Sequence, residues 1–195
     1  MAALAAEFYE RPVLQVASDL IGCRIEHDGC AGVIVETEAY HESEPACHAY
    51  IGLTPRTKVL FGDPGVAYVY RSYGIHALLN AVCEPEGIGA AVLIRALSPL
   101  EGIEQMRLRR QLPERAPVRD RDLCSGPGKL TQALGIWLGE NGTSLSRGPV
   151  RINAREGDWR EPAIAIGTRI GITHAVELPW RFCAAGDINV SSPRL

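Results

Sequence analysis

Glu38 and a cluster of tyrosines are the residues whose types and spacing could do chemistry. The run Val35-Glu36-Thr37-Glu38-Ala39-Tyr40 is strand-like, yet it sets carboxylates where a strand usually buries apolar groups. A period of two puts Ile34, Glu36, Glu38 and Tyr40 on one face. In Ala67-Tyr68-Val69-Tyr70-Arg71-Ser72-Tyr73-Gly74 the same rule pairs Tyr68 with Tyr70, and Tyr73-Gly74 marks a hairpin tip bearing an exposed aromatic wedge. Three of the six tyrosines, Tyr68, Tyr70 and Tyr73, fall here. If the two strands are neighbours, a carboxylate able to deprotonate a water lies beside rings able to sandwich a flat, electron-poor base. Arg95 shares a face with Leu93 in the apolar run Ala91–Leu97 and needs an anionic or polar partner. Glu38, or a water it holds, is the candidate.

The elements that must position these groups follow from the local pattern. Pro12 to Ile21 is predicted helical, with proline in the first turn and Gly22 as the stop. Cys23–Glu26 and Ala31–Glu38 are predicted strands joined across Asp28-Gly29, a hairpin signal. Glu38 thus falls at a strand end, where it meets solvent. His41 to Thr57 reads as a loop carrying His48 and Arg56. Gly65–Tyr73 and Ile75–Cys83 form the next hairpin, and Ala91–Leu97 another strand. Ser98-Pro99-Leu100-Glu101 fits a capping box opening a helix to about Gln111. A charged connector spans Pro113 to Asp122. Ser125-Gly126-Pro127-Gly128-Lys129 leads into a helix whose free amides suit an anion, but the pattern is not that of a nucleotide P-loop. Val150–Asn153 and Ala163–Ile172 read as strands, Trp180-Arg181-Phe182 closes the fold, and the tail from Gly186 is loop-like.

Composition bounds the answer. A chain of 195 residues, 46% apolar and 22% charged, fits one α+β domain over 1–195. No apolar run reaches membrane-spanning length, so no membrane association is expected. Met1 to Glu10 has no basic region, so no secretory leader is expected and the chain is placed in the cytoplasm or nucleoid. The six cysteines, without a Cys-x-x-Cys pair, are expected reduced and mostly buried. A net charge of −3 opposes nucleic-acid binding in bulk. Arginine supplies nearly all the positive charge, with Lys58 and Lys129 the lysines, and its forked donors match phosphate locally.

The chain resembles the alkyladenine (3-methyladenine) DNA glycosylases. The resemblance rests on Glu36 to Tyr40, His48, Thr54-Pro55-Arg56, Tyr68-Val69-Tyr70, Tyr73-Gly74, Asn80, Leu93-Ile94-Arg95-Ala96, Leu123 to Leu130, Arg169 to Ile172 and Trp180-Arg181-Phe182. It spans about Phe8 to Ser191. It implies a curved, mostly antiparallel sheet with surrounding helices and a protruding β-hairpin. It also implies a monomer acting on double-stranded DNA that contains damaged purines. Glu38 would be the general base on a water, with Arg95 positioning both. Tyr40, His48, Tyr70, Asn80 and Leu93 would hold the extruded base, and Asn80 would reject guanine. Tyr73 would intercalate. Arg56, Arg71, Gly126, Gly128, Lys129 and Arg169 would meet the DNA backbone. No metal or other cofactor is required, and no amine matches a nucleophile position. Thr57, Leu60, Arg71, Ser72 and His76 depart from the family pattern and bear on damage range.

Other classes remain in view. A non-catalytic nucleic-acid-binding module is the alternative, because the scaffold is similar to the carboxy-terminal domain of methionyl-tRNA formyltransferases. A zinc deaminase needs His-x-Glu and Pro-Cys-x-x-Cys, which are absent. Gly62-Asp63-Pro64-Gly65-Val66 faintly suggests a helix-hairpin-helix, but a strand follows it.

Overall fold

Period-two patterning dominates the chain, and a computed structural model describing residues 2–111, 118–155 and 163–195 is built on one antiparallel sheet. Its strands are β1 (Arg24–His27), β2 (Cys30–His41), β3 (Ala67–Ser72), β4 (His76–Val82), β5 (Ala90–Glu101), β6 (Arg151–Asn153), β7 (Ile164–Gly167) and β8 (Arg181–Ala184). The order is β3-β4-β5-β2-β1-β6, with β8 on β2 and β7 on β8. Strand β2 is the axis. β5 follows one of its edges, while β1 takes the first half of the other edge and β8 the stretch Glu36–Glu38. Asp28 and Gly29 join β1 to β2 with φ of 45° and 73°, the left-handed pair that Asp-Gly hairpins use.

Helices α1 (Ala6–Tyr9), α2 (Val13–Asp19), α3 (Ile103–Arg110), α4 (Asp120–Leu123) and α5 (Pro127–Leu134) surround the sheet. Alternation decides which face they cover. Ala77, Leu79 and Ala81 of β4 join the main core with Leu130, Ala133 and Leu134 of α5. Thr37 of β2 donates to the Ala17 carbonyl of α2 at 2.8 Å. A smaller cluster, Cys47, Ala49, Leu60, Tyr68, Val82 and Ala91, packs with Tyr40 and Tyr70 under the loop after β2. All six cysteines are free and buried. Among the described residues no helix is long and apolar enough to cross a membrane.

Several expectations are corrected. β2 and β3 are not neighbours, since β5 and β4 lie between them. In a flat sheet that separation is about 14 Å; the curl of the sheet brings the tyrosines to the carboxylate instead. β2 continues past Glu38 to His41, so Glu38 lies inside a strand and is fully buried. Ser98 to Glu101 does not start a helix. The β2 ladder extends to Ala31↔Glu101, with an irregularity at Ala31/Gly32 beside Pro99, and α3 begins after Gly102 at φ 72°. Ladder pairing outcompetes a local cap here. The strand expected over Ala163–Ile172 stops at Gly167. The start of the Pro113–Asp122 connector lies outside the described residues, and its end forms α4.

Candidate active site

Register explains how one face of the sheet assembles the reactive residues. Tyr68 pairs with Asn80, Asn80 with Leu93, Leu93 with Glu38, and Glu38 with Arg181. Cross-strand partners share a face, so one row across five strands carries all five side chains. Tyr70 and Tyr40 lie two residues along, on the same face. Near the site the period breaks once on each of two strands. Ile34 pairs with Leu97, Glu36 with Ala96 and Thr37 with Ile94, which leaves Val35 and Arg95 as extra residues. Bulges re-aim side chains. Here the result is that Arg95 stands between Glu36 and Glu38, while Ile34 packs in the main core.

The Glu38 carboxylate is held by two hydrogen bonds and one ion pair. The Tyr40 hydroxyl reaches Oε2 at 2.8 Å, the Ile170 amide reaches Oε1 at 2.7 Å, and Arg95 Nη1 stands 3.2 Å from Oε2. Burial pushes the Glu38 carboxyl above the usual range, against Arg95 and the Ile170 N–H, which pull it down. Two hydrogen bonds and a guanidinium on the two oxygens suit the ionised form. Burial likewise opposes the charge of Arg95, but Glu38 and Glu36 more than offset it.

A cavity of about 600 Å³ opens in front of this group. Tyr40, Arg95 and Ile170 line it, and Glu38 is sealed behind them. Tyr68 and Tyr70 stack at 5.4 Å between centroids, and His48 meets Tyr70 edge-on at 4.6 Å. Burial lifts the Tyr70 phenol to about 12, so it is neutral at physiological pH. His48 Nδ1 lies 3.0 Å from the Tyr68 hydroxyl and Nε2 lies 3.4 Å from Arg56 Nη2. Arg56 can only donate, so Nε2 accepts and Nδ1 carries the proton. Burial and Arg56 both lower the basicity of His48 and keep it neutral. Asn80 donates from Nδ2 to the Tyr68 carbonyl at 3.0 Å, which fixes its amide at the cavity floor beside Leu93.

Charge at the cavity resolves the tension posed by the net charge. Among the described lining residues are Arg56, Arg71 and Arg95 with His48, His76 and His174, and no Asp or Glu. Arg71 lies over the Trp137 ring at 5.6 Å. Tyr73 at the mouth is 88% exposed, with φ of 49°, beside Gly74 at 72°. Left-handed backbone at a bulky residue costs about 1–2 kcal/mol. A strained, solvent-facing aromatic is unexplained by packing and points to use outside the fold.

Two backbone-contact expectations are corrected. Arg169 is 5% exposed. It makes a bidentate pair with Glu44 at 2.6 and 2.9 Å, donates to the Ala39 carbonyl, and lies 4.6 Å from the Tyr40 ring centroid. Both terminal nitrogens of its guanidinium are occupied, and the group lies against the Tyr40 ring. Gly126 is buried and its N–H already donates to the Cys124 carbonyl at 3.0 Å. Gly128 has a packing role, because a Cβ there would lie 2.9 Å from the His76 ring. That close approach seats α5 against the base of the wedge hairpin. Lys129 is half-buried, with Nζ 3.3 Å from Ser125 Oγ.

Sequence reasoning missed the supporting shell. Glu36 accepts from Arg95 Nε at 3.0 Å, Arg181 Nε at 2.7 Å, and the Ser191 amide and hydroxyl at 2.7 and 2.9 Å. Glu44, Ile170 and Tyr68 were also outside the expected site. Glu36 and Tyr68 left a signal, their shared faces with Glu38 and Tyr70; Glu44 and Ile170 act through pairings across more than a hundred residues.

A carboxylate paired with an arginine behind an aromatic cavity, with a cationic rim and a protruding aromatic, has the shape and charge to receive a flat base carried on a polyanion. Residues 7–188 match the model of the methylpurine-DNA glycosylases. A provisionally named 3-methyladenine DNA glycosylase of Bradyrhizobium diazoefficiens is 54% identical over 97% of this chain and 91% of its own length. Similarly named proteins of Granulibacter bethesdensis and Rubrobacter xylanophilus are 52% and 49% identical, over 96% and 90% of this chain and 86% and 90% of theirs. The chain belongs to the methylpurine-DNA glycosylase family, enzymes that hydrolyse the N-glycosidic bond of DNA.

Proposed function

We propose that this chain is a monofunctional, monomeric glycosylase that works inside the cell and starts base excision repair. It would extrude alkylated or deaminated purines of the 3-methyladenine, 7-methylguanine and hypoxanthine class from duplex DNA. The observation that supports this most directly is the convergence of Glu38, Arg95 and Tyr40 behind an aromatic cavity lined without carboxylates.

In this reading the purine enters between Tyr40, His48 and Tyr70, with Asn80 and Leu93 at its edge. A cationic alkylpurine gains about 0.5 to 2 kcal/mol from an aromatic face, which favours damage before any hydrogen bond forms. Glu38 then takes a proton from a water aimed at C1′, and its charge stabilises the oxocarbenium-like transition state. Because Glu38 is sealed, the Tyr40 hydroxyl or Arg95 yields its place on the carboxylate to that water. The deciding experiment is a panel of duplexes, each with one lesion, assayed for free base. Release of free purine supports the reading. Binding without release favours the non-catalytic module, for which a fully buried Glu38 already held by Tyr40, Ile170 and Arg95 is the specific observation.

Tyr73 would fill the space left by the extruded base. Stacking on an aromatic is worth about 1–3 kcal/mol per base. Tyr73→Ala is therefore expected to weaken lesion-duplex binding roughly 5- to 150-fold with no loss of thermal stability, because the ring is exposed. Equal binding by the variant in a titration would remove Tyr73 from this role.

Arg56, Arg71 and Lys129 remain as phosphate contacts. For Arg71→Ala, the slope of log K against log salt for duplex binding should become shallower by about one phosphate equivalent. An unchanged slope would assign Arg71 to its stack on Trp137 alone.

A further inference from the structure

Behind the cavity Glu38 and Arg95 continue into a buried row of charges whose other two members, Glu36 and Arg181, have no part in the proposed reaction. It runs Arg181–Glu36–Arg95–Glu38, through contacts of 2.7, 3.0 and 3.2 Å. Glu36 and Glu38 are 0% exposed and Arg181 is 1% exposed. The tail closes the row. Ser191 gives its amide and hydroxyl to Glu36, while Arg181 Nη2 donates to the carbonyls of Ser191 and Pro193 at 3.3 and 2.8 Å. Arg181 is the register partner of Glu38, yet its side chain crosses to Glu36.

Charge balance gives this row a meaning. Arg95 stands between two carboxylates and its single charge cannot neutralise both. With Arg181 neutralising Glu36, the charge of Arg95 is left for Glu38. We infer that Arg181 and Glu36 are positioning residues that set the proton affinity and aim of the general base through Arg95. This inference rests on the reading of Glu38 as that base.

Other ionisable groups also face Glu38. Tyr40 lies beside it on β2, Tyr70 approaches from β3, Cys183 from β8, and Arg169 from the segment after β7. His48 lies across the cavity against Tyr70. Arg95 and Arg169 favour the carboxylate; Glu36 opposes it. Removing Glu36's charge lowers the proton affinity of Glu38, whereas removing Arg181's charge exposes Glu38 to an uncompensated Glu36 and raises it. The two substitutions act in opposite directions, which loss of packing alone does not do.

The test is the pH profile of single-turnover base release by the full chain from a lesion duplex chosen from the active panel. Rate falls on the acid side as Glu38 takes a proton. In Glu36→Gln the acid limb is expected to move to lower pH, and in Arg181→Gln to higher pH, each by about one pH unit. At a fixed pH on the limb the two rates then differ from the wild type by about tenfold, in opposite senses. A parallel series with His48→Gln removes the nearest histidine as the origin of the limb. Shifts of the same sign, or none, overturn the inference. Each variant decides on its own: if circular dichroism shows that one has lost its fold, the direction in the other stands as the result. Wild-type release that Glu38→Gln abolishes, with unshifted limbs, sinks this inference and leaves the base intact. No release by the wild type from any duplex sinks both.

Discussion

Glu38→Gln is expected to slow base release by about 10²- to 10⁴-fold in single turnover, the usual range for loss of a general base. Binding of the lesion duplex should persist, since Glu38 is buried and the cavity wall in front of it is made by other residues. The substitution is nearly isosteric, but it changes the donor balance. The carboxylate accepts from the Tyr40 hydroxyl and the Ile170 amide and forms an ion pair with Arg95. A glutamine offers one acceptor and turns an NH₂ toward a donor, which costs about 1–3 kcal/mol. A modest fall in melting temperature should therefore accompany the loss of rate, and the assay belongs well below it. A variant that released base within tenfold of the wild-type rate would remove Glu38 from the chemistry, whatever the family membership.

Arg169→Ala is expected to destabilise the protein by about 3–5 kcal/mol, the range for stranding one member of a buried ion pair. The substitution leaves Glu44, 4% exposed, without the fork that satisfies both of its oxygens. It also removes the donor to the Ala39 carbonyl and the cation behind Tyr40. For a chain of this size that amounts to a fall in melting temperature of roughly 10 °C. Arg169 adjoins Ile170, whose amide holds Glu38, so base release should slow even where the variant is folded. The salt slope of duplex binding should not change, because the guanidinium does not reach solvent. A shallower slope with unchanged melting would restore Arg169 to the DNA backbone.

These two arginine-linked carboxylates show where reading a sequence stops. Period-two alternation put Glu38 beside Tyr40 and Tyr68 beside Tyr70, and the observed contacts agree with both; Leu93 and Arg95 both line the cavity, although Arg95 lies outside the ladder. It also exposed Tyr73 on a turn. Alternation breaks wherever two strands insert an extra residue, and the paired bulge at Val35 and Arg95 is invisible without both strands. Arg169 and Arg56 are alike in that the family resemblance sets both at the DNA backbone. One is sealed against Glu44 and the other is exposed at the cavity.

Local residue order determined most of the strands, the hairpin tip, and the faces that carry the carboxylates and the tyrosine rings, because backbone alternation and turn chemistry act over a few neighbouring residues. Tertiary structure alone decided that β5 and β4 separate the carboxylate strand from the tyrosine strand, that curvature closes the gap, and that Glu38 is sealed. It also decided which arginines are occupied. Those outcomes depend on contacts between residues far apart in the chain, where the partner of a buried charge is set by how the sheet folds around it.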